Sequence, residues 1–188
     1  MQRILVTGIT GAGKTTLARA VAGRLGIGFH EMDALALCGP GWQENPRLQE
    51  DVDAISAEPG WVFDSLGYPQ VRDLLWTRAD GIVWLDYRRR VVMSRVLRRS
   101  AVRTLRRQRV FGGNVETVRF WFTREHPAWW AWTQYEARRA EIAARCERFG
   151  PLEVVRLGSP RAAREWLAAL PSPGSARGRQ PFEWDGSP

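Results

Sequence analysis

Two periods of apolar residues alternate along this chain, and the change from one to the other marks its elements. Residues 2–7, QRILVT, form a short apolar run that reads as a buried strand and leads directly into GITGAGKT at 8–15. From Lys14 to Leu25 the apolar positions fall at helical spacing, and Gly26 supplies the stop. GFHEM at 28–32 reads as a second strand ending at Asp33, followed by a polar helix over about 46–58. That helix starts after Asn45-Pro46, because proline is favourable at a first helical position. WVFDSL at 61–66, set between Pro59-Gly60 and Gly67, predicts a third strand, and GIVWLD at 81–86 predicts a fourth. VRDLLWTR between them has helical spacing, and a fifth strand, LEVVRL at 152–157, precedes the helix RAAREWLAAL at 161–170.

Strands separated by helices imply βαβ units and a parallel sheet covered on both faces. Between strands four and five the pattern predicts two long helices, at about 88–108 and 116–148, joined by FGGN. In the first, Val92, Met93, Val96 and Leu97 make a buried stripe, while Arg95, Arg99 and Arg106 project from another face. After Leu170 periodicity ends, and the Pro-, Gly- and Ser-rich remainder, 171–188, reads as a disordered tail. A length of 188 residues suits one domain, placed at 1–170.

The 44% hydrophobic and 26% charged residues are globular proportions, with no apolar window long enough for a membrane helix and no leader-like N-terminus. A cytoplasmic location is the expectation. Cys38 and Cys146 lack metal or redox spacing and read as space-filling thiols, and His30 and His126 stand alone. The net charge of +8 is concentrated: residues 86–109 carry ten arginines against Asp86, a local +9, so the remainder sums to −1. A local anionic partner is implied rather than a generally basic surface.

GITGAGKT fits G-x-x-x-x-G-K-[ST] in full and lies between an apolar strand and a helix, the context that gives the motif its meaning. Gly8, Gly11, Ala12 and Gly13 turn the backbone so that N–H groups face phosphate oxygens, with the positive end of the following helix behind them. Lys14 is the only lysine, against 27 arginines. Its compact ammonium suits the β- and γ-phosphates, where a planar guanidinium does not fit in the same place. Thr15 presents a hydroxyl to Mg²⁺, and Thr16 contacts the α-phosphate or caps the helix. The motif thus predicts ATP and Mg²⁺ as ligands.

With GITGAGKTTLA, EMDAL, WVFDSLGY, WLDYRRRVVMSRVLRR and RLGSPRAAREWL in this order, the chain over residues 2–170 resembles the small P-loop nucleotide kinases related to adenylate and shikimate kinase. The closest likeness is to the bacterial topology modulation or adenylate kinase-like ATPases. The resemblance implies a three-layer α/β P-loop NTPase, with a five-stranded parallel sheet flanked by helices and a helical lid at about 88–130. It places Asp33 beside an acceptor hydroxyl as general base or substrate orienter, the plainer alternative being an N-cap. It places Asp64 at the Mg²⁺ site, Arg95 and Arg99 on the transferring phosphoryl group, and Gly158, Ser159 and Pro160 in the loop holding adenine. Arg103, Arg106 and Arg107 serve the clamp equally well, and Ser159 also reads as a helix cap.

Trp121, Trp129, Trp130 and Trp132 read as packing for a helical hairpin, the alternative being a stack for a nucleobase or another planar acceptor, and Trp42 as the better acceptor-site aromatic. Neither the AMP signature of adenylate kinases nor the substrate contacts of shikimate kinases are found, so the acceptor stays open. The function expected is transfer of the γ-phosphate of ATP to a small-molecule or nucleotide acceptor. The alternatives are an ATP-dependent nucleic-acid-binding or regulatory protein, or a slow ATPase, using the arginines of 88–109.

Overall fold

A computed structural model describes residues 1–39, 43–105, 109–110, 114–115 and 127–171. The chain opens with β1 (Arg3–Gly8), α1 (Lys14–Leu25), β2 (Gly28–His30) and α2 (Met32–Ala36). A small antiparallel ladder, β3 (Leu37–Gly39) with β4 (Gln43–Glu44), leads to α3 (Leu48–Ser56), β5 (Trp61–Phe63) and α4 (Arg72–Arg78). Then come β6 (Gly81–Leu85), α5 (Arg89–Leu105), a two-residue ladder of β7 (Arg109–Val110) with β8 (Asn114–Val115), α6 (Pro127–Thr133) and α7 (Tyr135–Arg148). The last elements are β9 (Glu153–Leu157) and α8 (Pro160–Ala169).

One five-stranded sheet runs in the order β2-β5-β1-β6-β9 with every pair parallel, as the alternation of strands and helices predicts. Strand side chains alternate between its faces. Ile4, Val6, Val62, Val83 and Leu85 pack under α1, α5 and α8, whereas Leu5, Trp61, Phe63, Ile82 and Trp84 pack under α3, α4 and α7. All of β5 and β6 is buried, which is why both read as unbroken apolar runs. Each such side chain contributes roughly 1.5–3 kcal/mol on leaving water. The buried indoles keep their N–H groups satisfied: Trp61 donates to the Ser56 carbonyl at 3.2 Å and Trp76 to that of Leu66 at 3.0 Å.

Several boundaries differ from the pattern. β2 stops at His30, and Met32 begins a helix because its N–H donates to the Asp64 carboxylate at 3.0 Å. β5 ends at Phe63, not at residue 66, since Asp64 turns out of the sheet toward α1. α3 starts at Leu48 rather than at Pro46, after a turn in which the Asn45 side chain accepts from the Arg47 N–H at 2.9 Å. Of the helix expected over 116–148, the described part, 127–148, is two helices broken at Gln134, where the Thr133 hydroxyl donates to the carbonyls of Trp129 and Trp130. Residues 109–110 and 114–115 pair as strands around the expected FGGN joint. Val92 and Val96 are buried, but Leu97 is 43% exposed and leaves the predicted stripe. Cys38 is exposed rather than space-filling. His126, Trp42, Trp121, Arg106, Arg107, residues 116–126 and the tail 172–188 lie outside the described residues.

The phosphate-loop backbone is packed directly against α5. Gly11 has φ +81°, and a Cβ there would lie 2.2 Å from Cγ2 of Val96. Overpacking of about 1–3 kcal/mol adds to a left-handed penalty of about 1–2 kcal/mol. Gly11→Ala is therefore expected to lower Tm by roughly 4–20 °C. The double variant Gly11→Ala/Val96→Ala should lose less than the sum of the two single changes in thermal unfolding, whereas strict additivity would remove this contact as the constraint.

Candidate active site

The C-terminal ends of the parallel strands lie along one edge, with Gly8 of β1 paired to Leu85 of β6 and Leu85 to Leu157 of β9. The chain leaves β1 for one side of the sheet and later crosses to the other, so the crevice beside β1 is the topological switch point where ligands bind in such sheets. Gly8 has φ +144°, and a Cβ on it would come within 2.8 Å of the Leu85 carbonyl. A glycine is needed for β1 to turn into the loop beside β6. The Ala12 N–H then donates to the Ile9 carbonyl at 3.2 Å, and α1 begins at Lys14 with Gly13 as its N-cap. Thr16 is exposed within the first turn and is not the cap.

Lys14 donates from Nζ to the Ile9 carbonyl at 3.4 Å. Burial pushes its ammonium below the usual lysine range, against the opposing pull of Asp33 and then Asp64. Thr15 Oγ1 donates to Asp64 Oδ2 at 2.5 Å, although the two residues are 49 positions apart. Asp64 is buried, and its other oxygen accepts the Met32 N–H. Among the described residues no group of three or more His, Cys, Asp or Glu side chains could hold a metal. A single hydroxyl beside a single carboxylate is instead a donor set that suits Mg²⁺, which keeps several waters and takes further oxygens from phosphates.

Asp33 is not at a strand end and is not an N-cap: it lies in the first turn of α2, capped by Glu31. Its carboxylate opens into a cavity of about 490 Å³ whose lining includes Gly8, Thr10, Lys14 and Asp64. Tyr68 Oη donates to Asp33 Oδ1 at 3.2 Å. The concave wall around Asp33 admits solvent yet removes much of its hydration, which raises its carboxyl above the usual range despite Lys14 and the Tyr68 bond. Burial, reinforced by Asp33, pushes the Tyr68 phenol well above the ordinary tyrosine range. Tyr68 therefore stays a protonated donor.

Arg95 donates from Nη1 to the Ala12 carbonyl at 2.8 Å and lies over the Tyr87 ring, 5.4 Å from its centroid. The root of α5, with Val92, Val96 and Ser100 buried, is thus part of the core. Of the two arginines expected on the transferring phosphoryl group, Arg95 thus hydrogen-bonds the phosphate loop itself. One turn on, Arg99 is half-buried, and its charge acts on both Lys14 and Asp33. Ser159 caps α8, its hydroxyl accepting the Ala162 N–H at 3.1 Å. Asp86 is structural, held in ion pairs by Arg139 and Arg156.

Trp129 and Trp132 of α6 are 50% and 53% exposed rather than buried in the hairpin packing, whereas Trp130 lines the cavity and Ala131 is fully buried. Sequence reasoning missed Tyr68, Arg72 and Arg138 in the cavity wall. Tyr68 stands four residues after Asp64, and Arg138 is three before Glu141, a spacing that signals a helical ion pair but no site.

A family model described as ATPase family associated with various cellular activities (AAA) matches residues 4–60. No curated protein matches the chain significantly. Among solved structures it is similar to a shikimate kinase from Acinetobacter baumannii in complex with shikimate, at 17% identity, 89% of each chain covered and TM-score 0.55. A shikimate kinase from Bacteroides thetaiotaomicron is similar at 16% identity, 89% of this chain and 94% of that chain covered, and TM-score 0.52. At these identities the likeness is one of fold. The chain has the fold of the small P-loop kinases, a five-stranded parallel sheet flanked by helices, with a complete phosphate-loop motif between β1 and α1.

The raised Asp33 gives a pH test. Above the ordinary carboxyl value of 3.8 the unfolded chain releases this proton before the folded one does, so Asp33 withdraws stability as pH rises through its folded pKa. Asp33→Asn is expected to have a higher Tm than the parent at about pH 7, with the gap closing toward about pH 4. Calorimetry across that range checks it, and a variant less stable at neutral pH would show that the attraction of Lys14 prevails.

Proposed function

We propose that the protein is a Mg²⁺-dependent phosphotransferase that moves the γ-phosphoryl group of ATP to a hydroxyl of a small molecule in the 490 Å³ cavity. One observation carries this reading: Asp33, hydrogen-bonded to Tyr68, opens on the same cavity as Lys14 and the Asp64 that meets Thr15. The cavity extends from the phosphate-loop residues Gly8, Thr10 and Lys14 to Asp33, Tyr68 and Arg138, which supports an acceptor held beside the phosphates.

In this reading the N–H groups of the loop from Gly8 to Gly13 cradle the ATP phosphates, and Lys14 extends to the β- and γ-oxygens. Thr15 and Asp64 hold Mg²⁺, which supplies neutralisation of phosphate charge. The Ser159 loop at the end of β9 borders the adenine. Arg95, fixed on the Ala12 carbonyl, keeps the loop in shape, and Arg99 neutralises charge on the transferring group. Asp33 accepts the proton of the acceptor hydroxyl as that oxygen bonds to the γ-phosphorus and the bridge to ADP breaks. Its upward shift brings it nearer the operating pH, where a general base works best.

Two arginines of the charge-rich segment make internal contacts, which supports this reading over nucleic-acid binding. Arg95 is committed to the loop, and Arg89 pairs with Glu136 at 3.2 Å and stacks on Trp132 and Tyr135.

Transfer assays with ATP, Mg²⁺ and a panel of sugars, polyols, hydroxyacids and nucleosides test the proposal. A phosphorylated product is expected, with kcat falling about 10²–10⁴-fold in Asp33→Asn while ATP-analogue affinity is kept. ATP hydrolysis with no transfer to any acceptor, undiminished in Asp33→Asn, would falsify it in favour of an ATPase.

A further inference from the structure

The outer faces of α5 and α6 take no part in the cavity. On α5, Arg90, Ser94, Leu97, Arg98 and Ala101 recur at i, i+4, i+7, i+8 and i+11, which is one stripe of the helix. All are exposed except the half-buried Ala101. Leu97 is an unusually bare leucine for a packed helix, and Val102, at the edge of the stripe, is exposed as well. α6 packs alongside α5, with the Arg89 guanidinium 4.9 Å from the Trp132 ring centroid, and leaves Trp129 and Trp132 half in solvent. Two neighbouring helices therefore present tryptophan, aliphatic and arginine side chains together. A mixture of exposed apolar and charged groups on this scale marks an interaction surface.

The positive charge of this face is unanswered. Neither α5 nor α6 contains an aspartate or glutamate. Glu136, in the first turn of α7, pairs with Arg89, whereas Arg90 and Arg98 meet no carboxylate among the described residues. The hydroxyl donors are used internally: Ser94 Oγ donates to the Val91 carbonyl at 3.0 Å, and Thr133 Oγ1 to the Trp129 carbonyl at 3.0 Å. What the two helices turn outward is mainly guanidinium and apolar surface.

We propose that the outer faces of α5 and α6 form a docking surface for an anionic phospholipid membrane, on which the protein lies peripherally. Arg90 and Arg98 meet lipid phosphates, while Leu97 and Val102 reach the acyl boundary. Trp129 and Trp132 sit at headgroup depth, where an indole has apolar surroundings on one side and water on the other. Arginine suits such a boundary because its stem lies along apolar surface while its head stays with the phosphates. Among the described residues no helix is long and apolar enough to cross a membrane, so the contact is one of adsorption. A second copy joined through this face by a two-fold axis would set arginine against arginine. A nucleic acid offers phosphates and stacking bases but no apolar layer in which to bury Leu97 and Val102.

The test mixes the full chain with sucrose-loaded vesicles of phosphatidylcholine alone, or of phosphatidylcholine with about one-third phosphatidylglycerol, and measures the protein that sediments. Partition to the anionic vesicles is expected to exceed that to the neutral ones by at least about 30-fold, the scale of two arginines at a charged surface. It is expected to fall by about 10-fold or more between about 0.1 and 0.5 M salt. Arg90→Gln/Arg98→Gln should lower binding to the anionic vesicles by about 30-fold. Leu97→Ser/Trp129→Ser should lower it by at least about 10-fold, through lost apolar burial. Each pair lies on the surface, so both variants are expected to keep the parent Tm within about 4 °C.

Equal binding to the two kinds of vesicle, no binding to the anionic ones at millimolar lipid, or binding that either double variant leaves unchanged would overturn the proposal. A dimer in light scattering that Leu97→Ser/Trp129→Ser dissociates would overturn it in favour of a second copy. Single-stranded oligonucleotide binding that anionic vesicles fail to displace would overturn it in favour of nucleic acid.

Discussion

The Asp64 carboxylate joins three parts of the chain. One oxygen accepts the Thr15 hydroxyl on the first turn of α1, and the other accepts the Met32 N–H at the start of α2. The residue follows the last position of β5, next to β1 in the sheet. This one buried group sets where the phosphate loop stands relative to the strand edge, and it stops β2 short so that Asp33 enters a helical turn facing the cavity. Two charge-assisted bonds, each worth about 1.5–3 kcal/mol, offset the cost of burying the charge.

The sheet makes that geometry rigid. Its two faces bury separate clusters, and the faces of α1 and α5 that meet the sheet lie in the same cluster as β1. Gly11 is pressed on Val96 and Arg95 holds the Ala12 carbonyl, so the phosphate loop is gripped from both its own helix and α5. A loop held this firmly presents its N–H groups without having to order them on binding, which lowers the entropic cost of capturing phosphate.

The contrast between one lysine and 27 arginines takes on a clearer meaning in this setting. Lys14 is the compact charge enclosed by the loop. The arginines act as planar braces: Arg95 on the loop, Arg139 and Arg156 on Asp86, Arg72 and Arg138 on Glu141. Several also lie over aromatic rings, among them Arg95 on Tyr87 and Arg138 on Trp130. A guanidinium satisfies carboxylate and ring at once, which an ammonium does less well. Much of the basic character of the chain is therefore internal structure.

The five parallel strands, their helices and the phosphate loop were legible in the sequence, because each is written in local terms: an apolar run of four to six residues, a helical period, glycines at fixed offsets before Lys14. Helical spacing put Arg95 and Arg99 on one face, but roles for them and for Asp33 and Asp64 came only from resemblance, and their partners were not visible at all. Thr15 with Asp64, Tyr68 with Asp33, and Arg72 with Glu141 are separated by 49, 35 and 69 positions. No periodicity couples residues so far apart. The tryptophans of α6 were misjudged for a related reason, since hydrophobicity says that a side chain favours burial but not whether the helix turns it inward. Local chemistry by itself marked the phosphate loop and its place between β1 and α1. Only the packing of helices on the sheet decided which carboxylates and arginines share its cavity, because that depends on distances the chain acquires on folding.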